Sequence, residues 1–398
     1  MHRYAAVVDR QKLRPQVILL GLVSLLNDSA SEMIYPILPV FLTMTLGATP
    51  FDVGMIEGLA DAVASILKYF AGSWSDRLTR RRPLISSGYA LAAGSRALIA
   101  AAVAWPWVLA ARLIDRTGKG IRSAPRDALI SDVTPVEQRG KAYGFHRALD
   151  HTGAIVGPLM AMALLQGFHL EMRTVFYIAV IPGFIAVILL LTLLKEDPKP
   201  PKESTSVTPA APLPGRFWAA LGAISLFSLA NSSDAFLLLQ ASAAGVSTAM
   251  LPLLWAAHHV IKALFSTRAG ALSDRMDRRT LLVIGWLVYA AIYFAFPIAH
   301  SMRSFFILFI LYAIPFTLTE GAERAWISTM VPADARGKSF GLYYLATGIF
   351  VLAGTLIFGL LYERVSHAAA FSTGAAIAVI AALFVLFTPA AKAATARA

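Results

Sequence analysis

Apolar runs of roughly 20 residues recur along this chain, and no other feature restricts its fold as strongly. A helix of that length spans a hydrocarbon core about 30 Å thick, because each helical residue adds about 1.5 Å. Of the 398 residues, 57% are hydrophobic and only 15% are charged. The sequence therefore predicts an all-α polytopic membrane protein.

Several function classes are not predicted. The chain has no cysteine, which excludes disulfides, thiolate metal sites and a cysteine nucleophile. It also lacks a nucleophile elbow, a phosphate-binding loop and zinc-ligand spacing, so neither an enzyme nor an ATP-driven pump is expected. The first apolar run, which begins near Val17, is followed by no small-residue cleavage site, so we expect this helix to be retained.

Hydropathy, read against charged and Pro/Gly breaks, predicts twelve transmembrane helices. They cover residues 16 to 44, 50 to 71, 83 to 104, 107 to 131, 141 to 165, 174 to 194, 216 to 239, 249 to 270, 280 to 299, 304 to 329, 338 to 361 and 371 to 388.

The Lys and Arg residues between these helices predict the orientation of the chain. Twenty-one of them fall on the side of the N-terminus, and three, Arg173, Arg303 and Arg364, fall on the other side. This asymmetry predicts that both termini are cytoplasmic in a cell inner membrane. The net charge of +12 is then a consequence of topology, and no nucleic-acid partner is expected.

Two sequence motifs occur twice, about 200 residues apart. "GSWSDRLTRRR", beginning at Gly72, recurs as "GALSDRMDRR" from Gly270, and "TPVEQRGKAYG", from Thr134, recurs as "VPADARGKSFG" from Val331. A polar, Pro-rich stretch at residues 195–216 separates the copies and is predicted to be a cytoplasmic linker. We therefore predict two pseudo-symmetric six-helix halves, at residues 1–194 and 217–398.

These motifs resemble those of the major facilitator superfamily, over essentially the whole chain. The first motif resembles the family's loop between helices 2 and 3, and the family's pattern places Asp76 and Arg77, with their repeats Asp274 and Arg275, in the gating region. "RTGKG", from Arg116, resembles a helix 4 motif of proton-coupled members. "GAIVGP", from Gly153, resembles the start of the antiporter motif in helix 5, without its following glycine pair.

The resemblance implies a major facilitator fold, in which helices 1, 4, 7 and 10 line a central cavity. It also implies alternating access, in which the two halves rock to expose that cavity to each side of the membrane in turn. The fold leaves substrate and direction of transport undetermined.

Charged residues inside the predicted helices are the candidates for a site, because a charge at the bilayer centre costs roughly 3 kcal/mol on insertion scales. Eleven such cations are present: Lys68, Arg96, Arg112, Arg116, Lys119, Arg122, Arg126, Arg147, Lys262, Arg268 and Arg324. At 100° per residue, the helix 4 charges from Arg112 to Asp127 lie within an arc of about 140°. We expect this stripe to line the cavity, with Arg112, Arg116 and Lys119 contacting substrate. The alternative is that these cations neutralise buried acids.

Acidic residues in the first half are the expected counterparts. Asp28 lies about 18 Å along helix 1, near the membrane midplane, and shares a helix face with Glu32. Two neighbouring carboxylates in a low dielectric resist being ionised together, as a proton carrier requires. Asp150 is expected to bind substrate or a proton, or to pair with Arg116 or Arg147. Glu57 is predicted to be a solvated residue at a helix start.

In the second half, Asn231 and Asp234 on helix 7 are expected to face helix 1 and offer oxygens and amides to a ligand. His258 on helix 8 lies one turn from Lys262 and either titrates during transport or forms a hydrogen bond within the bundle. Glu320 on helix 10 is a further candidate for coupling. No spacing supports a metal site, and no cofactor is expected.

The repeat also predicts a gate. Aligned halves place Arg126 opposite Glu323 and Asp127 opposite Arg324, near the cytoplasmic ends of helices 4 and 10. We expect these cross-half ion pairs to close the cytoplasmic side when the cavity opens outward. The alternative is pairing within helix 10, between Glu323 and Arg324 or between Glu320 and Arg324.

The expected function is secondary active transport, in which a proton antiporter exports a small organic compound or drug, anionic or zwitterionic in character. The expected partners are the small-molecule substrate, protons and membrane lipid, and the chain is expected to act as a monomer. A proton-coupled symporter or facilitator that imports a small organic anion is the alternative within transport. A lipid scramblase or a non-transporting membrane receptor is the alternative from another class.

Overall fold

All regular secondary structure in the described residues, 13–135, 139–196, 213–331 and 336–388 of a computed structural model, is helical. It forms twelve helical segments: α1 Pro15–Thr45, α2 Pro50–Arg77, α3 Arg82–Ala101, α4 Trp105–Val133, α5 Arg139–Met162, α6 Met172–Leu193, α7 Gly215–Ala243, α8 Leu251–Arg275, α9 Arg278–Ala295, α10 Met302–Met330, α11 Arg336–Arg364 and α12 His367–Leu386. The predicted segments are all present, with shifted ends, and residues 197–212 of the predicted linker lie outside the described residues.

Ten of the twelve segments are long and apolar enough to cross a membrane. The other two are α2 and α4, which are 28 and 29 residues long and contain several charged residues each. Their length suits a membrane span, and their charge is what separates them from the rest. The chain is thus a multi-pass membrane protein.

Two helices that the sequence predicts as continuous are broken. In α1, the α-helix ends at Ile34, before Pro36 and Pro39, and resumes as a short turn at Leu38–Val40. In α7, it ends at Ala230 and resumes at Ala235. Asn, Ser and Asp side chains compete for backbone hydrogen bonds, and the break in α7 falls on the run Asn231–Asp234. Helix α4, by contrast, continues through Pro125.

The two halves repeat the same packing. In the first half α1 packs on α5 and α6, α3 packs on α4 and α6, and α2 packs on α4. In the second half the equivalent pairs are α7 with α11 and α12, α9 with α10 and α12, and α8 with α10. The halves meet where α2 packs on α11 and α5 packs on α8, which are equivalent pairs under the same repeat. The pseudo-symmetric arrangement is confirmed.

Glycines allow the closest of these packings. A Cβ atom added to Gly157 of α5 would collide with the carbonyl oxygen of Ser29 and lie 3.1 Å from Cβ of Glu32. Helix α5 therefore supports α1 at the turn that carries the candidate carboxylates.

Candidate functional site

One end of the bundle is closed by contacts between the halves. We call the end at which α1 begins at Pro15 the near end and the opposite one the far end. At the far end, Leu38–Val40 of α1 packs against Ala235–Ala243 of α7. There the backbone N–H of Phe51, in the first turn of α2, donates a 3.1 Å hydrogen bond to Oε2 of Glu363 on α11.

At the near end the halves are parted between α4 and α10, although α2 and α11 stay in close contact there through Tyr69 and Gly341. Helices α4 and α10 do not pack on each other along their described lengths, and Lys119, Glu320 and Arg324 on these helices are exposed. Between the halves lies what we call the central polar space. We define it by the charged residues that lie within electrostatic range of one another across this region, which are Asp28, Glu32, Asp61, Arg116 and Lys119 in the first half and Asp234, Lys262 and Glu320 in the second. Two of its residues, Lys119 and Glu320, are exposed.

The outermost arginine of the α4 stripe does not face this space. Arg112 is 4% exposed and forms a bidentate ion pair with Glu57 of α2, with Nε–Oε1 and Nη2–Oε2 distances of 3.0 and 2.5 Å. The prediction that Glu57 is solvated is wrong, because Glu57 is 3% exposed and supplies the charge that a buried guanidinium needs. Asp115, 3.7 Å from Arg112, completes the cluster. Arg112 is therefore a cation that neutralises a buried acid, which was the alternative to a substrate contact.

The middle of the stripe faces the central polar space. Nε of Arg116 lies 3.4 Å from Oδ1 of Asp61 on α2, whose side chain is 46% exposed. Lys119, one turn on, is exposed and has no ion pair within the described residues. Its ammonium lies within electrostatic range of both Asp28 and Glu32. Lys119 is thus the cation of the stripe best placed to meet a ligand.

The inner part of the stripe packs within the first half. The Arg122 guanidinium lies 4.4 Å from the centre of the Tyr89 ring and donates to the carbonyl of Gly88. Arg126 pairs with the adjacent Asp127 at 3.1 Å.

The predicted cross-half gate is not formed in this conformation. Glu323 accepts a 3.1 Å hydrogen bond from the Tyr343 hydroxyl within its own half, while Arg126 stays with Asp127. The Arg126–Glu323 and Asp127–Arg324 pairs were predicted for an outward-open state, so they stay a prediction. Four further gating candidates, Asp76, Arg77, Asp274 and Arg275, have side chains outside the described residues.

The Asp28 carboxylate is held by a neighbour that sequence reasoning missed. Nδ2 of Asn27 donates to Oδ1 of Asp28 at 2.9 Å, and Oδ1 of Asn27 accepts from Nη2 of Arg96 on α3 at 2.8 Å. Arg96 is 2% exposed. The sequence shows that Arg96 is a charge inside a predicted helix, but its spacing does not predict that Asn27 is its partner.

Glu32 bridges the two halves. Its Oε2 accepts a 2.7 Å hydrogen bond from Nε1 of Trp255 on α8, and the Trp255 ring lies 4.9 Å from the ring of Tyr35, next to Glu32 on the same face of α1. Neither aromatic residue was predicted to belong to the site, because nothing in the sequence pairs α1 with α8.

The second half contributes an acid at the break in α7. Asp234 accepts a 2.7 Å hydrogen bond from the Tyr312 hydroxyl of α10, and Asn231 lies at the start of the same break. These residues were expected on a continuous helix 7, and that expectation is wrong. At this break the backbone departs from the α-helical pattern, and the carbonyls of Ser233 and Asp234 accept hydrogen bonds from the N–H groups of Phe236 and Leu237, each at 3.1 Å.

Two further candidates lie on α8 and α10. Nδ1 of His258 lies 3.4 Å from the Phe309 carbonyl, and its ring stacks on Trp255, which fits a histidine held within the bundle. Glu320 pairs with Lys262 of α8 at 2.7 Å, so the alternative pairing of Glu320 with Arg324 is wrong for this conformation.

Asp150 also has a partner other than the one expected. Its Oδ2 lies 3.5 Å from Nδ1 of His146, one turn earlier on α5, whereas Arg116 pairs with Asp61. The pairing of Asp150 with Arg116 is therefore wrong. Across the described residues, no group of three or more His, Asp or Glu side chains is arranged to hold a metal ion.

Comparisons with known proteins place this arrangement in a family. The sequence profile described as the Major Facilitator Superfamily matches residues 20–257 and 217–398. An uncharacterised MFS-type transporter of Methanocaldococcus jannaschii is 32% identical over 386 residues, covering 95% of this chain and 96% of that protein. The quinolone resistance protein NorA of Staphylococcus aureus is 28% identical over 174 residues, 44% of this chain and 42% of that protein.

Solved structures agree with this at the level of fold. The crystal structure of a D-xylose-proton symporter matches with a TM-score of 0.74 at 18% identity, covering 94% of this chain and 98% of that one. A family profile that spans both halves, a full-length relative and a matching fold lead to one conclusion: this chain belongs to the major facilitator superfamily of transporters.

Proposed function

We propose that this transporter is a proton-coupled antiporter that exports a small organic compound carrying both a hydrogen-bond donor and an anionic group. It works by alternating access, with residues 1–194 and 217–398 as the two rocking halves and residues 195–216 as their linker. Both termini lie in the cytoplasm of a cell with the chain in its inner membrane, so the near end faces the cytoplasm.

The observation that supports this proposal is the composition of the central polar space. Two carboxylates, Asp28 and Glu32, face Lys119, an exposed cation with no ion pair in the described part of the chain. Carboxylates on one helix and an ammonium on another give a ligand two points of opposite charge to contact. That favours a zwitterion over a simple anion or cation.

Proton coupling rests on the same carboxylates. Asp28 and Glu32 lie one helical turn apart on α1 and are both partly buried, and a dielectric lower than that of water makes ionisation of both costly. A proton held by one of them while the substrate is absent, and released when substrate binds, couples the two fluxes. The similarity to a quinolone resistance protein over part of the chain favours export as the direction.

Import of a small organic anion by proton symport is the second candidate. Lys119 favours it, because an exposed, unpaired cation attracts anions, and the fold is shared with a D-xylose-proton symporter. The two candidates differ in the direction of proton movement.

Proteoliposomes that contain a pH-sensitive dye distinguish these candidates. Small anions, zwitterions and drugs are first screened for thermal stabilisation of the purified protein, and each hit is then added outside the vesicles. Under antiport, substrate entry drives protons out and the lumen becomes alkaline; under symport the lumen becomes acidic. We expect alkalinisation that is absent in D28N and E32Q. Uptake of hits with no proton movement in either direction would contradict the proposal.

A further inference from the structure

The structure joins the candidate substrate acid directly to the closed far end. Trp255 belongs to the second half, is 5% exposed, and donates its indole N–H to Glu32 of the first half at 2.7 Å. Its ring also contacts Tyr35, so two residues on one face of α1 hold a side chain of α8.

Trp255 is itself fixed on the side of its own half. Its ring stacks on His258, with centroids 5.6 Å apart and planes inclined by 17°, and contacts the ring of His259 edge-on at 5.0 Å. The indole is therefore held in place by α8, and its hydrogen bond acts on Glu32 as part of a rigid surface. Moving the halves apart at the far end must break this bond.

Glu32 is also one of the acids that face the central polar space, near Asp28, Lys119 and Arg116. A carboxylate oxygen that accepts from Trp255 is not free to accept a strong hydrogen bond in the same direction from a ligand. A protonated amine is the donor best suited to displace the indole, because it brings both N–H groups and a charge to a face that carries two carboxylates.

We propose that Trp255 is a positioning residue that couples ligand binding to the far-end gate: a ligand ammonium group replaces the Trp255 indole on Glu32, and the loss of that bond releases the far end. This inference rests on the proposed function in assigning Glu32 to substrate. The Trp255–Glu32 bond, however, is a feature of the folded chain and is testable without any transport.

The natural absence of cysteine makes the test direct, because two introduced cysteines carry spin labels without background labelling. Met44 and Ser247 are exposed at the far end, in the first and second half respectively, so M44C and S247C report far-end opening by pulsed electron resonance. The full-length protein is measured in lipid nanodiscs. The variants are W255F, which keeps an aromatic ring but lacks the N–H, and E32Q.

A hydrogen bond to a charged acceptor corresponds to a change of roughly tenfold or more in a two-state equilibrium. We expect W255F to raise the ratio of far-end-open to far-end-closed molecules about tenfold, E32Q, whose amide oxygen still accepts a weaker hydrogen bond, to raise it by less, and the double variant to raise it no further than W255F. W218F is the matched control, because Trp218 on α7 is 52% exposed, and it should leave the ratio unchanged. No change in W255F, or additive effects in the double variant, would overturn the coupling.

The ligand class is tested on the same labelled protein with two probes. Benzylammonium supplies N–H donors, and benzyltrimethylammonium has the same charge without them. At millimolar concentration the first should open the far end of the otherwise unsubstituted protein but have no effect in E32Q, and the second should have none in either. Equal effects of the two ions, or no effect of benzylammonium, would reject the ammonium group as ligand. If W255F opens the far end while the proteoliposomes show no proton movement, the coupling stands and the proposed function fails.

Discussion

The pairing of Arg112 with Glu57 shows how the first half tolerates a charge in its interior. Both side chains are almost fully buried, and two parallel hydrogen bonds join them. Removing one partner of such a pair typically costs about 3–5 kcal/mol, because the other charge is left buried, whereas replacing both with apolar residues is often close to neutral.

We therefore expect E57A and R112A each to lower the unfolding free energy by about 3–5 kcal/mol, and E57L/R112L to recover most of that loss. Unfolding in detergent, followed by circular dichroism, measures both effects. R14A is the control, because Arg14 is exposed before α1 and its removal should change little. Single variants as stable as the parent protein would mean that the pair is not buried in the folded chain.

Lys119 should behave in the opposite way. It is exposed and forms no ion pair with the described residues, so K119A should change stability by less than about 0.5 kcal/mol. The same substitution should abolish the thermal stabilisation produced by anionic or zwitterionic hits from the ligand screen, and K119R should retain most of it. Hits that stabilise K119A as well as the parent would exclude Lys119 from the binding site.

At the scale of elements, two glycines of α5 distinguish the effect of close helix packing on stability from the effect of helix propensity. A Cβ on Gly157 would meet the Ser29 backbone of α1, whereas a Cβ on Gly144, on the same helix, would meet nothing within 4 Å. We expect G157A to destabilise by about 1–3 kcal/mol through overpacking, and G144A to be neutral or to stabilise by up to about 1 kcal/mol. Thermal unfolding of both variants tests this. Equal effects would show that α5 and α1 are not in close contact.

The helices themselves were largely predictable, because hydropathy and charge patterns are local. The α4 stripe was found from its angular arc, and the repeat of the halves was found from two motifs. The break in α7 was not predictable, because Asn231, Ser232 and Ser233 are tolerated in a membrane helix as well as in an unwound turn. Which outcome occurs depends on partners such as Tyr312, which lie on another helix.

The candidate site was predictable in composition but not in pairing. Asp28, Glu32 and Lys119 were identified as charges inside predicted helices, and they do bound one space. Glu57 was misread because its partner lies 55 residues away, on a helix whose position relative to α2 no local pattern specifies. Trp255 was missed for the same reason, since an aromatic residue in an apolar run carries no signal of its own.

The whole molecule is two similar halves joined by the α2–α11 and α5–α8 contacts, closed at the far end and parted between α4 and α10 at the near end. We expect these halves to exchange this arrangement for its reverse. Thr79 and Met276 are exposed residues that follow α2 and α8, at the near end. Together with Met44 and Ser247, they provide one reporter pair at each end.

Distances across both ends, measured on spin-labelled T79C/M276C and M44C/S247C in nanodiscs, show whether this exchange occurs. We predict that conditions which lengthen the far-end distance, such as W255F or a stabilising ligand, shorten the near-end distance in the same proportion of molecules. Distances that stay single and unchanged at both ends under all these conditions, or that lengthen together, would contradict alternating access in this chain.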